Sequence, residues 1–198
     1  MTTPASSRPA PTPASSIGVF CGARTGRDPA WASATRELAH ALAQRNHTIV
    51  YGGGNVGLMG VLADSALERN VRVVGVIPES MVRVELAHTR LAELHVVPDM
   101  LERKKLIMQL SDAFIALPGG VGTLDEVFEV VTWTQLSLHA NRPKKPCVLL
   151  NIRGFYDPLV AWLERAHAEG LVMDETMRLL PSVTSAEHAL EQISQLIV

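Results

Sequence analysis

The stretch Asp99–Trp133, DMLERKKLIMQLSDAFIALPGGVGTLDEVFEVVTW, reads as helix, strand, glycine turn and helix in direct succession. Asp99–Ser111 carries its apolar residues at helical spacing. Ala113–Leu117 is short and apolar at every position, the mark of a strand covered on both faces. Pro118–Gly122 is a turn, and a second helical pattern runs over Thr123–Leu138. A strand of this kind flanked by helices predicts a parallel sheet between two helical layers.

The same alternation extends in both directions. Strands are expected at Ile17–Cys21, His47–Tyr51, Val71–Ile77, Leu94–Val97 and Cys147–Asn151. Helices are expected at Ala30–Arg45, Gly57–Arg69, Tyr156–Glu169 and Ala186–Ile197, with a mixed connector over Pro78–Leu91. The fold class that follows is α/β: a single, doubly wound, Rossmann-like parallel-sheet domain over residues 17–198, with ligands expected beyond the carboxyl ends of the strands. Residues 1–16, MTTPASSRPAPTPASS, lack core-forming side chains and are expected to be a disordered tail.

Composition narrows the function. The chain has 198 residues, is 47% hydrophobic and carries 18 Lys+Arg against 20 Asp+Glu. A net charge of −2 argues against a dedicated nucleic-acid binder, which needs a basic surplus. No apolar run reaches the roughly 18 residues of a membrane span. Two cysteines, Cys21 and Cys147, imply neither a disulfide framework nor a zinc site, and suit the cytoplasm. The seven histidines show no metal-ligand spacing, so no metal is expected; His88, in the connector, is placed to line a pocket.

Ten of the 14 glycines fall in three segments that begin at strand ends: Cys21–Gly26 (CGARTG), Gly52–Gly60 (GGGNVGLMG) and Pro118–Gly122 (PGGVG). Tight turns explain one or two of them. Glycines at a helix start also let backbone N–H groups approach an anion, which the helix dipole favours. Gly52, Gly53, Gly54 and Gly57 are therefore candidate ligand contacts, as are Gly119, Gly120, Val121, Gly122 and Thr123. Gly52, Gly54 and Gly57 also fit G-x-G-x-x-G, with Glu79 after the next strand as the ribose carboxylate of a dinucleotide oxidoreductase. Against that stand the position of the motif in the second βα turn, Pro78 before the acid, and the lack of room for a substrate domain.

Two charged residues sit where they need explaining. Arg103 shares a helix face with Leu106, Ile107 and Leu110, so it is expected on the buried side, as a structural ion pair or as a fixed cation facing a ligand. Glu126 completes Thr123-Leu-Asp-Glu126, which has the form of a capping box. It also lies opposite the stripe of Leu124, Val127, Phe128 and Val131, aligned with Val130 and Trp133. That second face is expected to be a pocket wall or a subunit contact.

PGGVGTLDE, ERKK upstream and GGGNVGLMG together resemble the pattern of the LONELY GUY family, cytokinin riboside 5′-monophosphate phosphoribohydrolases, some of which carry a lysine decarboxylase label. The resemblance runs from Ile17 to about Val172. It implies a Rossmann-like homodimer that hydrolyses the N-glycosidic bond of N6-modified AMP to free base and ribose 5-phosphate, without cofactor. It also implies that Arg103 and Glu126 are catalytic, and that Lys104, Gly119–Thr123 and Thr132 contact the nucleotide. Ala23 departs from the family's Cys-Gly-Ser and removes a hydroxyl. A non-enzymatic nucleotide or molybdenum-cofactor carrier on the same fold is the alternative; it would keep the phosphate loop and have no need of Glu126.

Overall fold

The computed structural model describes residues 15–84, 86–139 and 144–197. Among the described residues seven parallel strands, in the order β4-β3-β2-β1-β5-β6-β7, form one sheet. They are β1 (Ser16–Phe20), β2 (Thr48–Tyr51), β3 (Val73–Pro78), β4 (Glu93–Val97), β5 (Ala113–Ala116), β6 (Cys147–Leu150) and β7 (Ser182–Val183). The α-helices among the described residues are α1 (Pro29–Gln44), α2 (Gly57–Leu67), α3 (Glu79–Val82), α4 (Met100–Leu110), α5 (Val121–Gln135), α6 (Asp157–Ala168), α7 (Asp174–Leu179) and α8 (Ala186–Leu196).

The sheet divides the core into two layers, because alternate residues of each strand point to opposite faces. On one side, Leu38 and Leu42 of α1, Leu62 of α2 and Leu190 of α8 pack against Ile17, Ile49 and Ile115. On the other, Ile107 of α4, Val127 and Val130 of α5 and Leu163 of α6 pack against Phe20, Val50 and Phe114. Phe20 and Phe114 stack there at 5.4 Å between ring centroids.

The sequence expectations hold for the long elements and fail at informative places. α3, α7 and β7 were not expected, since two to six residues carry too little periodicity to read. Ser16 pairs with Thr48 as the first residue of β1, and the Ser16 N–H bonds Asp112 at 2.9 Å, so the expected tail reaches too far. The rest of it, residues 1–14, lies outside the described residues. The capping box is also absent. α5 begins two residues before Thr123, with Gly120 as its N-cap and no side-chain cap bond, so Thr123 and Glu126 both lie within the helix. Val130, expected on a pocket wall or a subunit contact, is 1% exposed and belongs to the core.

Strand order reverses at β1. The chain lays down β2, β3 and β4 on one side of it and then crosses to place β5 on the other. Connections leaving β1 and β5 diverge to opposite faces at such a switch point, which opens a crevice beyond their carboxyl ends.

Candidate functional site

A cavity of about 620 Å³ lies in that crevice. Its walls come from the loops after β1, β2 and β5 and from the first turns of α4 and α5. Of the residues singled out from sequence, it brings together Gly52, Gly54, Arg103, Lys104, Gly119, Gly120, Gly122, Thr123 and Glu126. Gly53, Gly57, Val121 and Thr132 are not in its lining. Val121 points outward at 86% exposure, and Thr132 is an exposed residue near the far end of α5.

Arg103 is set by the capped start of its helix. Asp99 ends the loop after β4 and accepts the Glu102 N–H at 2.9 Å, which fixes the first turn of α4. Arg103 then projects inward and is 8% exposed. Its Nε donates to the Val76 carbonyl at 3.1 Å and its Nη2 to the Gly52 carbonyl at 2.9 Å. Nη1 faces the thioether of Met100 at 3.3 Å, a weak acceptor. Among the described residues Arg103 has no ion pair; carbonyls satisfy the buried charge and leave further N–H groups for the cavity.

Glu126 stands one turn into α5, with its carboxyl largely shielded from water. Burial pushes the carboxyl up to about 7; Arg103 and Lys104 oppose the shift, and Asp125 and Glu129 reinforce it. A group balanced between acid and base near neutrality is suited to proton transfer. Lys104 is committed elsewhere. Its Nζ lies 2.6 Å from Glu129 Oε2 and 3.1 Å from Asp125 Oδ2. Cys21 also lines the cavity, but burial and the nearby Glu126 hold its thiol well above the usual range, so it is neutral and not nucleophilic.

The glycines separate into two groups. A β-carbon on Gly52 would fall 1.7 Å from Arg103 Nη2, and one on Gly57, at φ +58°, would fall 2.3 Å from the Ala23–Arg24 peptide. These glycines make room for other parts of the protein. Gly120 and Gly122 have nothing within 4 Å of a β-carbon position. They line the cavity at the N-terminus of α5, where N–H groups point at whatever occupies it.

The dinucleotide alternative fails on this geometry. Its glycines are packed against side chains and backbone, and Glu79, exposed at the start of α3 and paired with Arg83, is not in the cavity lining. His88 does not line the cavity either. It is buried, with Nε2 3.0 Å from Asp64 Oδ1, and its N–H bonds the Gly53 carbonyl at 2.9 Å. The connector thus braces the loop after β2 from behind.

Sequence reading missed several lining residues. Trp31 and Phe155 meet edge to face at 5.6 Å and wall one side, although 124 positions separate them. Met59, Met81 and Leu86 make another apolar wall. Arg24, exposed in the loop after β1, lines the rim and has no side-chain partner among the described residues. Only Arg24 carried a usable signal, as a cation inside a glycine-bounded loop. No cluster of potential metal ligands and no helix long and apolar enough to cross a membrane occurs among the described residues.

Comparison with known proteins bears on the family and the fold. The chain matches the family model described as "possible lysine decarboxylase" over residues 59–193. It is 50% identical over 175 residues to the cytokinin riboside 5′-monophosphate phosphoribohydrolase of Rhodococcoides fascians, covering 88% of this chain and 86% of that protein. It is 39% identical over 181 residues to the enzyme of the same name, LOG, from Oryza sativa, covering 91% and 73% of the two chains. Among solved structures, the molybdenum cofactor binding protein of Rippkaea orientalis superposes with a TM-score of 0.69 at 22% identity, covering 93% and 98%. The carrier protein for that cofactor from Chlamydomonas reinhardtii superposes at 0.68 and 19% identity, covering 92% and 97%. At that level of identity the two structures speak for the fold alone. The sequence relatives speak for more: the chain belongs to the family of the cytokinin riboside 5′-monophosphate phosphoribohydrolases.

Proposed function

We propose that the protein hydrolyses the N-glycosidic bond of an N6-modified adenosine 5′-monophosphate, releasing free base and ribose 5-phosphate. The observation that carries this reading is the meeting, in one cavity, of a shielded carboxyl at Glu126, a fixed cation at Arg103 and an open helix N-terminus at Gly120–Gly122. The 5′-phosphate sits on the N–H groups of α5, and Arg24 across the rim adds a cation that no protein carboxylate claims. The purine lies along the apolar walls.

Breaking C1′–N9 leaves positive character on the ribose and negative charge on the base. Glu126 as carboxylate stabilises the ribose and takes a proton from the attacking water, whose oxygen bonds to C1′. The base leaves with the electron pair of the broken bond and takes a proton from solvent, while Glu126 returns the proton it took from water to solvent, so one water is added overall. Arg103 stabilises the departing purine by charge and hydrogen bonding; guanidinium stays protonated and does not supply that proton. Holding the phosphate positions the reacting bond, so remote binding energy appears in kcat.

The same reading includes a homodimer. Support comes from the outer surface of α4, α5 and α6, which leaves Leu101, Val121, Leu136 and Trp162 exposed. The two cysteines, both unpaired and buried, are compatible with a cytoplasmic setting.

The test is incubation with paired nucleosides and nucleoside 5′-monophosphates, with chromatographic detection of free base. The N6-modified monophosphate should be hydrolysed with kcat/KM at least about 100-fold above its nucleoside, because each charge-assisted contact contributes roughly 1.5–3 kcal/mol. Equal efficiencies would overturn the phosphate assignment, and no release of base from any monophosphate would overturn the activity.

A further inference from the structure

Arg103 and Lys104 are adjacent in sequence, and both line the cavity, yet they are held in opposite ways. Arg103 is bound by backbone carbonyls, whereas Lys104 is bound by the two carboxylates that flank Glu126 on α5. Asp125 precedes Glu126 directly, and Glu129 follows it by three residues and shares its side of the helix. Lys104, Glu126 and Glu129 also border one small gap between α4 and α5, with Phe20, Met108 and Val130. An ammonium in that gap has three carboxylates within its range. It is engaged by Asp125 and, at the shorter distance, by Glu129, whose side chain is the more buried of the two.

We propose that Glu129 is a positioning residue for the reaction: by engaging the Lys104 ammonium it keeps that cation from closing onto Glu126, and so leaves the Glu126 carboxyl free to exchange a proton. The proposal rests on the function assigned above to Glu126. The charged and titratable groups facing Glu126 are Arg103 and Lys104 from α4, Asp125 and Glu129 on its own helix, and the Cys21 thiol beyond β1. Arg103 is tied to Val76 and Gly52, and Cys21 is neutral. Lys104 is thus the one cation of this set held by carboxylates and not by backbone, and Glu129 is its shorter contact. The Lys104–Glu129 contact also has a consequence for Lys104 itself: that pairing, with Asp125, raises the affinity of the ammonium for its proton, so Lys104 stays charged throughout the working range. This assigns Lys104 to electrostatic control of the carboxyl in place of the substrate contact expected from sequence.

The test measures kcat/KM against pH for the wild type, Glu129→Gln, Lys104→Gln and the double variant, since this profile reports the free enzyme. In parallel, the Glu126 side-chain carboxyl is titrated by carbon NMR and assigned by its absence in Glu126→Gln. In Glu129→Gln the ammonium keeps Asp125 and takes Glu126 as its second carboxylate, so the Glu126 transition should fall by about one pH unit. Lys104→Gln removes the cation, and the transition should rise. In the double variant the effect of Glu129→Gln should shrink to less than half, because its partner is gone. Glu129→Asp should restore the wild-type profile in part. If Glu129→Gln does not fold, Asp125→Asn should move the transition the same way by a smaller amount. An unmoved transition, or one lowered equally with and without Lys104, would overturn the proposal. The NMR titration stands without turnover, so loss of the assigned activity and loss of this inference are separate outcomes.

Discussion

After β2 the chain turns through Gly52, Gly53, Gly54 and Gly57; after β5 it turns through Gly119, Gly120 and Gly122. In the first loop the space a side chain would need is filled by the Arg103 guanidinium, by Ile77 and Leu94, and by the Ala23–Arg24 peptide. In the second, Gly119 abuts the Thr123 side chain, whereas Gly120 and Gly122 border open space on the cavity. One set of glycines brings pieces of the protein together, and the other holds a surface clear for something that is not protein. Glycine density after a strand therefore marks close approach, and only the surroundings reveal what approaches.

Substitutions can break this contrast. Gly57→Ala should have the largest effect, since it adds a methyl group against backbone at a left-handed φ. A loss of about 4 kcal/mol or more is expected, in the range of severe core disruption. Denaturant unfolding tests it, and near-wild-type stability would show that the loop after β1 can move away at little cost.

Glu126→Gln sharpens the contrast from the other side. The carboxyl is raised from the ordinary 4.5 to about 7, so below pH 4.5 it is protonated whether folded or unfolded and contributes no difference. Between those values the unfolded chain ionises first, and stability falls as pH rises. Above 7 the full cost, at most about 3 kcal/mol, is present. The amide removes it. The variant should match the wild type in stability at pH 4, exceed it at pH 8, and lose turnover by roughly 10²–10⁴. Thermal unfolding at the two pH values, with a turnover assay, checks both; a variant less stable at pH 8 would give Glu126 a structural role.

Gly122→Ala is the mildest. The methyl group meets no protein atom, and alanine favours helix, so stability should be unchanged or higher by up to about 1 kcal/mol. Efficiency on the monophosphate should still fall by about tenfold to a hundredfold, because the methyl group enters the space assigned to the phosphate. Unimpaired hydrolysis would move the phosphate away from α5.

How much of this is legible in sequence follows from range. Ala113–Leu117 and, past Arg72, Val73–Ile77 announce themselves because burial on both faces leaves no polar position in the strand. Arg103 is legible as a buried cation because helix periodicity is local. Its acceptors, the carbonyls of Val76 and Gly52, carry no side-chain signature and lie 27 and 51 residues away. The start of α5 was misread because Thr123 and Glu126 imitate a capping box while Gly120 does the capping through backbone alone. Trp31 and Phe155 could not be paired from sequence, since only the closed fold brings the starts of α1 and α6 to one wall.

Arg103 joins the ends of β2 and β3 through the same guanidinium that faces the cavity. Chemistry and architecture are therefore not equally free to drift. A descendant of this chain could surrender Glu126 and remain a well-folded binder, even a sturdier one. Surrendering Arg103 would take a donor from the carbonyls of Gly52 and Val76 and open a hole beside Gly52, to be rebuilt before any new function could be tried. Of the two residues assigned to catalysis, the carboxylate is the one a lineage can lose in a single step, and the arginine is the relic it would keep.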